Sequence, residues 1–553
     1  MGQSGPAPAQ FEHQEALCGA GVLFLLPALI EQGLFRTKEV YQLPATHYYS
    51  LESVVLTLSF MALGRIKNPE QLKQCKPGEI GRIIGLDRIP EVRNLREKIK
   101  LLTSQQGAQT LNNLLIDQWY SDEQKQDGEF LYIDGHQRIY YGSKANLPAK
   151  YISRQKLCLS ATTEYWVNDA QGMPVMMVMG ELTEKLQTAI EQYIIPQMQQ
   201  TSLLKLLEEP ELEERPQCTF IFDREAYEPD FFVRLWNQHR IAVITYRKNV
   251  KDSWDENEFK PHDTKVLNQT IIMLLCEHQT ELGGHSFREI RRLSEGGHQT
   301  AIITTHPTIE IADIAGRMFG RWSQENFFRY LIADYDFDKM IEFGVETIDP
   351  EKQVVNPDYR KADYQLKKHR EKINRIEAKF YTLAEKVMET AIDALPLLTT
   401  KQSEYKDLLN TLKQQETELI EKRKQYPPKI KLREMPEKIR FNKLKTESKL
   451  LMNVIKMICY RAESAVASLV AHHLNRADEE KRMLVKQIIQ NNADLIPDYE
   501  RNTLTVVLHS LSAPRFNHAV AQITQLLNET ETIFPGTDLR LIFKTTALSN
   551  CEG

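Results

Sequence analysis

The rhythm of apolar and polar positions changes along the chain, and each change predicts a different kind of element. From Ser50 to about Leu115 apolar residues recur every three or four positions, the period of helices packed on one side. Within that stretch Pro77 to Gly85 predicts a short helix ended by glycine, and Pro90 opens a second one. Val92, Leu95, Ile99 and Leu102 share one face of the second helix, with Arg93, Arg96 and Lys100 on another stripe. Two helices across a tight turn predict a helix-turn-helix whose basic stripe could meet DNA phosphates or base edges; the same stripe also suits a solvated face. Between Phe130 and Tyr246 the texture becomes short β-rich runs: Phe130–Ile133, Lys156–Val167, Pro174–Met179, Cys218–Phe222 and Ile241–Tyr246. Helical stretches at Leu182–Gln197 and Tyr227–Gln238 separate the later runs, which predicts a mixed sheet flanked by helices.

Arg247 to about Ala301 is polar, carries Gly283, Gly284, Gly296 and Gly297, and alternates apolar runs with turns, as a β-rich insertion would. Ile309 to Leu331 returns to a helical period. Beyond Tyr359 the chain becomes a long charged helical region in which Leu366, Ile373, Ile376, Phe380, Leu383 and Val387 form a seam for paired helices. The expected organisation is an α-helical region at 1–120, an α/β domain at 121–360 with its insertion at about 247–301, and an α-helical domain with a coiled-coil-like hairpin at 361–553.

Length supports that division, because 553 residues exceed what one hydrophobic core usually serves. Hydrophobic residues at 42% and charged residues at 26% exclude wholesale disorder, collagen-like repeats and a membrane channel. A net charge of only -5 means that any polyanion must be held by local patches. The strongest such patch runs from Glu421 to Leu450, where eleven Lys or Arg face four Glu, and it includes Lys429, Lys431 and Arg433. Seven scattered cysteines without a CxxC pair fit a reducing cytoplasm better than a disulfide framework. The apolar stretch Ala16–Ile30 is short, interrupted by Pro27 and bracketed by acids. It reads as a buried helix, and no membrane association is expected.

Candidate chemistry begins where apolar strands end in acids. Asp134 closes the run Phe130-Leu-Tyr-Ile, and Asp223 closes Cys218-Thr-Phe-Ile-Phe just before a helix, at the sheet edge where open α/β sheets place ligands. Glu325 lies in a helical segment that would set Arg321, Glu325 and Arg329 on one face at four-residue steps. Three converging carboxylates call for Mg2+ or Mn2+, and two such ions can activate a water or a 3'-hydroxyl and stabilise a leaving oxygen. Each acid also has a plain structural reading, as a helix cap or a surface ion pair. His136 stands two residues past Asp134, either assisting the acid or serving as a hydrogen-bonding strand-end residue. Cys276, His278 and His285 are close in sequence but lack a fourth ligand at zinc-site spacing, and read as surface or core of the insertion. Gly296-Gly297 has no following Lys-Ser/Thr, so no nucleotide-binding loop is indicated.

The order Asp134, Asp223, Glu325, with a β-rich insertion before the last, resembles the Asp-Asp-Glu transposases of bacterial insertion sequences. The resemblance implies a ribonuclease H-like mixed sheet with a β-rich insertion, flanked by α-helical N- and C-terminal regions. The branch it most resembles carries a Tyr, Arg, Glu, Lys signature; Arg321 and Glu325 match, whereas the Tyr position falls on Met318 and the Lys position on Ile332, with Arg329 one turn nearer. By this resemblance Asp134, Asp223 and Glu325 are catalytic and hold two Mg2+ or Mn2+ ions, and Trp254 of the insertion can hold a flipped base. The implied partners are double-stranded DNA, at element ends and target, and further copies of the chain in a homodimer or higher synaptic assembly. The implied location is cytoplasmic and nucleoid-associated. Two rivals stand beside this reading: a related metal-dependent nuclease that cannot join strands, and a catalytically silent DNA-binding or scaffold protein.

Overall fold

Runs of buried residues whose side chains alternate to two sides build the central sheet. The computed structural model describes residues 5–120, 129–152, 155–181, 184–205, 215–266, 269–335, 344–389, 395–470 and 477–546, and within them every side chain except those of 129, 322–326, 383–389, 395–399, 401–402 and 477–479. The chain forms two compact units. The first comprises 1–140, 149–342 and 445–553, and the second 141–148 and 343–444.

Strand β1 (Gln14–Leu17) is the first in the chain. The central sheet of the first unit follows in β2 (Glu129–Ile139), β3 (Ala149–Ile152), β4 (Leu157–Asn168), β5 (Pro174–Glu181), β6 (Cys218–Phe222) and β7 (Ile241–Tyr246). The insertion adds β8 (Lys260–Val266), β9 (Gln269–Leu282), β10 (His285–Leu293) and β11 (Gln299–Thr304). The order is β3-β4-β2-β6-β7-β11-β10-β9-β8, with β5 also paired to β4. β2 runs antiparallel to β4 and parallel to β6, and β6 runs parallel to β7. The insertion joins this sheet through the antiparallel pair β11 and β7, so it widens the sheet instead of standing apart.

Every residue of β6 is buried, the signature of a strand covered on both faces. Leu131, Ile133, Phe220, Phe222 and Val243 face one layer, where the helix Pro229–His239 contributes Phe231, Phe232 and Leu235. Phe130, Tyr132, Ile221, Ile244 and Ile302 face the other, against Ile314, Ala315 and Met318 of the helix Ile311–Phe319.

Around this sheet the first unit adds a large helical core. Leu95, Ile99 and Leu102 of the helix Val92–Thr103 are buried there, as their spacing predicted. The preceding helix, Pro77–Ile83, is joined to it through residues 84–91, including Gly85 at φ +73°. That connection is longer than the three- or four-residue turn of a helix-turn-helix, which corrects the expected motif. The stretch Ala20–Glu31 is a buried 3-10 turn followed by a short helix. Among the described residues no single helix is long and apolar enough to cross a membrane; one bent pair, Ala20–Glu31 with Leu34–Val40, passes by composition alone.

The second unit holds β12 (Val345–Thr347), β13 (Gln353–Val355), β14 (Lys429–Lys431) and β15 (Asn442–Leu444), paired as β12 with β15 and β13 with β14. From these ribbons rise two long helices, Pro357–Glu389 and Leu395–Lys424. Ile373, Leu409 and Leu412 pack between them with Ile376 and Phe380, and Arg370–Glu416 and Lys413–Glu377 ion pairs fix an antiparallel register. The side chains of Leu383 and Val387, also in the expected seam, lie outside the described residues.

The region after the hairpin is not all helical, contrary to expectation. The buried helix Glu447–Leu469 is followed by β16 (Ala493–Asp498), β17 (Thr503–Leu508) and β18 (Arg540–Thr545). With β1 they form a sheet ordered β1-β16-β17-β18, in which β17 and β18 are parallel and joined through the helix Pro514–Glu529. Residues near both ends of the chain therefore share one sheet, and 361–553 is divided between the two units.

Candidate active site

The parallel register of β2 and β6 pairs Ile133 with Phe222, so the next residues, Asp134 and Asp223, stand side by side. β6 ends at Phe222, but β2 runs on to Ile139, so Asp134 lies within its strand and not at its end as the apolar run suggested. Neighbouring strands lie about 5 Å apart, which brings the two acids together from positions distant in sequence. The Gly135 N–H donates to Asp134 Oδ1 at 2.9 Å. Asp223 caps the turn Arg224–Ala226, accepting from the Arg224 N–H at 2.6 Å. The capping reading is thus satisfied at Asp223, but its second carboxylate oxygen is turned elsewhere: Arg321 Nη2 lies 3.5 Å from Asp223 Oδ2.

Arg321 is mostly buried and is the cation that links both acids. Burial pushes the Asp134 carboxyl up to about 6, against the pull of Arg321 and the Gly135 N–H, with Glu225 and Asp223 adding to the rise. A half-buried acid next to another acid is poised to take a cation. Glu225, two residues past Asp223, is the acid that the sequence reading missed. Its only signal was the short acidic spacing Asp223-Arg-Glu225.

The helical segment carrying Glu325 differs from expectation. The chain forms two helices, Ile311–Phe319 and Trp322–Tyr335, broken at Gly320-Arg321. Arg321 therefore precedes the second helix, so the continuous Arg321–Glu325–Arg329 face is corrected. Position 325 sits in the first turns of that helix; the side chain of Glu325 lies outside the described residues. The helix itself is well anchored on both sides of this position. Arg321 approaches Asp223, while Phe327 and Phe328 pack on Trp166, which pairs in register with Asp134. The helix thus runs along the sheet face that carries Asp134. Arg329 is solvent-exposed on it. At the Tyr position of the signature Met318 is a buried core residue; Ile332, at the Lys position, packs partly buried against the helical core.

His136 is buried, stacks on Phe328 with ring centroids 5.6 Å apart, and pairs in register with Glu164. Glu164 is fully buried; burial would raise its carboxyl, yet Arg138 and Lys449 hold it below the ordinary range. Arg138 Nε donates to it at 2.5 Å. His136 belongs to this buried polar row, which favours the structural reading.

The other sequence candidates are scattered. Trp254 stacks on His278 at 4.1 Å, and the Arg291 guanidinium lies 4.1 Å from its ring centroid. Its ring is partly buried and packs on these two side chains within the insertion. Arg93 and Lys100 are exposed, Arg93 with Glu97 at 3.5 Å, and Arg96 is ion-paired with Glu70; with Lys73 and Val92 they line an open groove of about 410 Å³. In the second unit Lys431 and Arg433 both hold Glu351, at 2.8 and 2.7 Å, while Lys429 is exposed.

A mixed α/β chain with two acids side by side on adjacent parallel strands and a basic side chain beside them has the features of an enzyme that works on a charged substrate. Residues 2–547 match a family described as Transposase protein, and the chain belongs to that family. No curated protein matches it. Membership makes it a transposase-family, nucleic-acid-processing protein for which DNA is the expected partner.

Proposed function

We propose that the chain is an Asp-Asp-Glu transposase with a ribonuclease H-like core, cutting DNA at element ends and joining the freed 3'-hydroxyl to a target. The observation that carries the reading is the adjacency of Asp134, midway along β2, and Asp223, just past the end of the parallel neighbour β6. It is supported by the strand order β5-β4-β2-β6-β7 and by the helix bearing Glu325, which runs over the same face.

The donor set fits a hard divalent cation: Asp134 is a desolvated carboxyl beside a second carboxylate, and both offer oxygen ligands. Asp134, Asp223 and Glu325 would hold Mg2+ or Mn2+, which when bound supplies an activated water or 3'-hydroxyl and stabilises the leaving oxygen. The chain's own residues do the rest. Arg321 orients Asp223 and balances the acids before DNA arrives. The Gly135 N–H fixes the Asp134 carboxyl, and the Phe327–Phe328 pair locks the helix bearing Glu325 against the sheet. Arg93 and Lys100 in one unit and Lys429 in the other are the exposed cations proposed to meet DNA phosphates. A homodimer or higher synaptic assembly, and a cytoplasmic, nucleoid-associated location, complete the proposal.

The test is a magnesium-dependent cleavage assay on element-end DNA beside a binding assay with the same DNA. Asp223→Ala is expected to abolish cleavage and to leave binding equal or slightly tighter, because a negative charge near phosphate has been removed. Cleavage within about tenfold of the parent, a barrier change of only about 1.4 kcal/mol, would reduce Asp223 to the cap of its turn.

A further inference from the structure

In the insertion, Cys276 and His278 stand two residues apart on β9 and so project to the same side of the sheet. A third group reaches them from before β8: Glu258, in the turn Glu256–Glu258. Cys276 Sγ is 3.5 Å from His278 Nε2 and 3.9 Å from Glu258 Oε2, and His278 Nε2 is 3.0 Å from the same Glu258 oxygen. We propose that Glu258, Cys276 and His278 form a zinc site, with water in the fourth position, that fastens the segment after Trp254 to β9.

The distances support a ligand set over a catalytic relay. A Cys-His-acid relay uses both ring nitrogens, one toward the thiol and the other toward the acid. Here sulfur and carboxylate both converge on Nε2. Metal bonds of about 2.0 to 2.3 Å in a tetrahedron place neighbouring ligand atoms about 3.3 to 3.8 Å apart, close to the three separations in the triad. One sulfur, one imidazole and one carboxylate match the ligand types of zinc and not those of Mg2+ or Ca2+. Cys276 is buried, whereas the side chains of His278 and Glu258 are 43% and 47% exposed, leaving an entry path and room for a water.

The surroundings hold the ligands in place. Trp254 stacks on the His278 ring at an interplanar angle of 17°, and Gln299 fixes the Trp254 backbone through both its N–H and its carbonyl. Arg291, the nearby cation, is engaged by Glu289 and Asp252, at 2.7 and 2.6 Å, so its charge is compensated. His285, the neighbour suggested by sequence, is instead paired with Asp230 at 3.0 Å.

The experiment is a Co2+ titration of the full-length, metal-stripped protein, followed by optical spectroscopy and competition with Zn2+. The expected result is thiolate-to-cobalt charge transfer, with tetrahedral ligand-field bands, that saturates with one Co2+ at this site, whatever further Co2+ the carboxylates near Asp134 take up. Cys276→Ser should abolish the charge transfer and weaken Zn2+ binding by more than about a hundredfold, beyond the 10–100-fold that outer-shell changes cost. Asp223→Ala should leave the signal unchanged, because sulfur absorption cannot arise from the carboxylates near Asp134; the result therefore stands apart from the fate of the transposase reading. Absence of charge transfer in the parent protein at saturating Co2+ would overturn the site, whether or not the serine variant folds. Charge transfer that persists in a folded Cys276→Ser protein would also overturn it.

Discussion

Replacing Asp134 by Asn should make the metal-free protein more stable at neutral pH while destroying its proposed activity. In the folded chain burial lifts the Asp134 carboxyl from an ordinary 3.8 to about 6, although Arg321 and the Gly135 N–H pull the other way. The folded state therefore binds the proton more tightly than the unfolded chain between those two values, and stability falls as pH rises through that window. At about 1.4 kcal/mol per unit, the penalty above the folded value is about 3 kcal/mol. Asparagine keeps an oxygen that can accept from Gly135 and removes the charge. Denaturant unfolding in chelator should show Asp134→Asn more stable by about 2–3 kcal/mol near pH 7.5, with the gain shrinking toward zero below about pH 4, where the parent's carboxyl is protonated in both states. Adding Mg2+ should stabilise the parent and not the variant, since only the parent keeps the full donor set. A variant less stable than the parent at neutral pH, or a gain independent of pH, would refute the claim that Asp134 is held in a desolvated site awaiting a cation.

Other expectations follow from the same geometry. Glu463 is fully buried and receives Arg65 Nη2 at 2.8 Å and the hydroxyls of Tyr330 and Tyr335 at 2.5 Å each, so Glu463→Ala should cost about 3 kcal/mol in denaturant unfolding by removing their shared acceptor, with Asp334 at 3.4 Å left to Arg65. Because Glu351 already holds Lys431 and Arg433, replacing Lys429, Lys431 and Arg433 together should flatten the slope of log affinity against log salt by about 1, not by the roughly 3 expected of three free phosphate contacts. Removing Arg321 as Arg321→Ala should raise the Asp134 carboxyl further, which a proton titration followed by NMR of the carboxyl carbon would register as an upward shift.

Particular residues show how far the sequence could be read. Asp134 and Asp223 stood out because four- and five-residue apolar runs end on them; at Asp223 the strand does end, whereas β2 runs on past Asp134 to Ile139 with buried polar residues in place of apolar ones. That their strands are parallel neighbours is a long-range fact with no local sign. The helical period ran on through Gly320-Arg321, so the break that turns Arg321 toward Asp223 was hidden behind continuous apolar spacing. Thr503-Leu-Thr-Val-Val-Leu508 did carry the β-branched alternation of a strand, but it was masked by the helical segments around it, and its partner β18 is reached only through a crossover helix. Counting charges from Glu421 to Leu450 measured the chain, not its surface, because Glu351 comes from the turn before β13, the partner strand of β14, far earlier in the sequence. Glu258 was invisible for the same reason: it joins Cys276 and His278 across the β8–β9 hairpin.

The most direct test of the central claim is strand joining with a pre-cleaved DNA end bearing a free 3'-hydroxyl, a plasmid target and Mg2+, run with the parent protein and with Asp134→Asn, Asp223→Asn and Glu325→Gln. The account predicts covalent end-to-plasmid products with the parent alone, while all four proteins bind the end with similar affinity. Joining at the parent's rate by the Asp134→Asn or Asp223→Asn protein would contradict it, as would a parent that cuts the end in Mg2+ but never joins it.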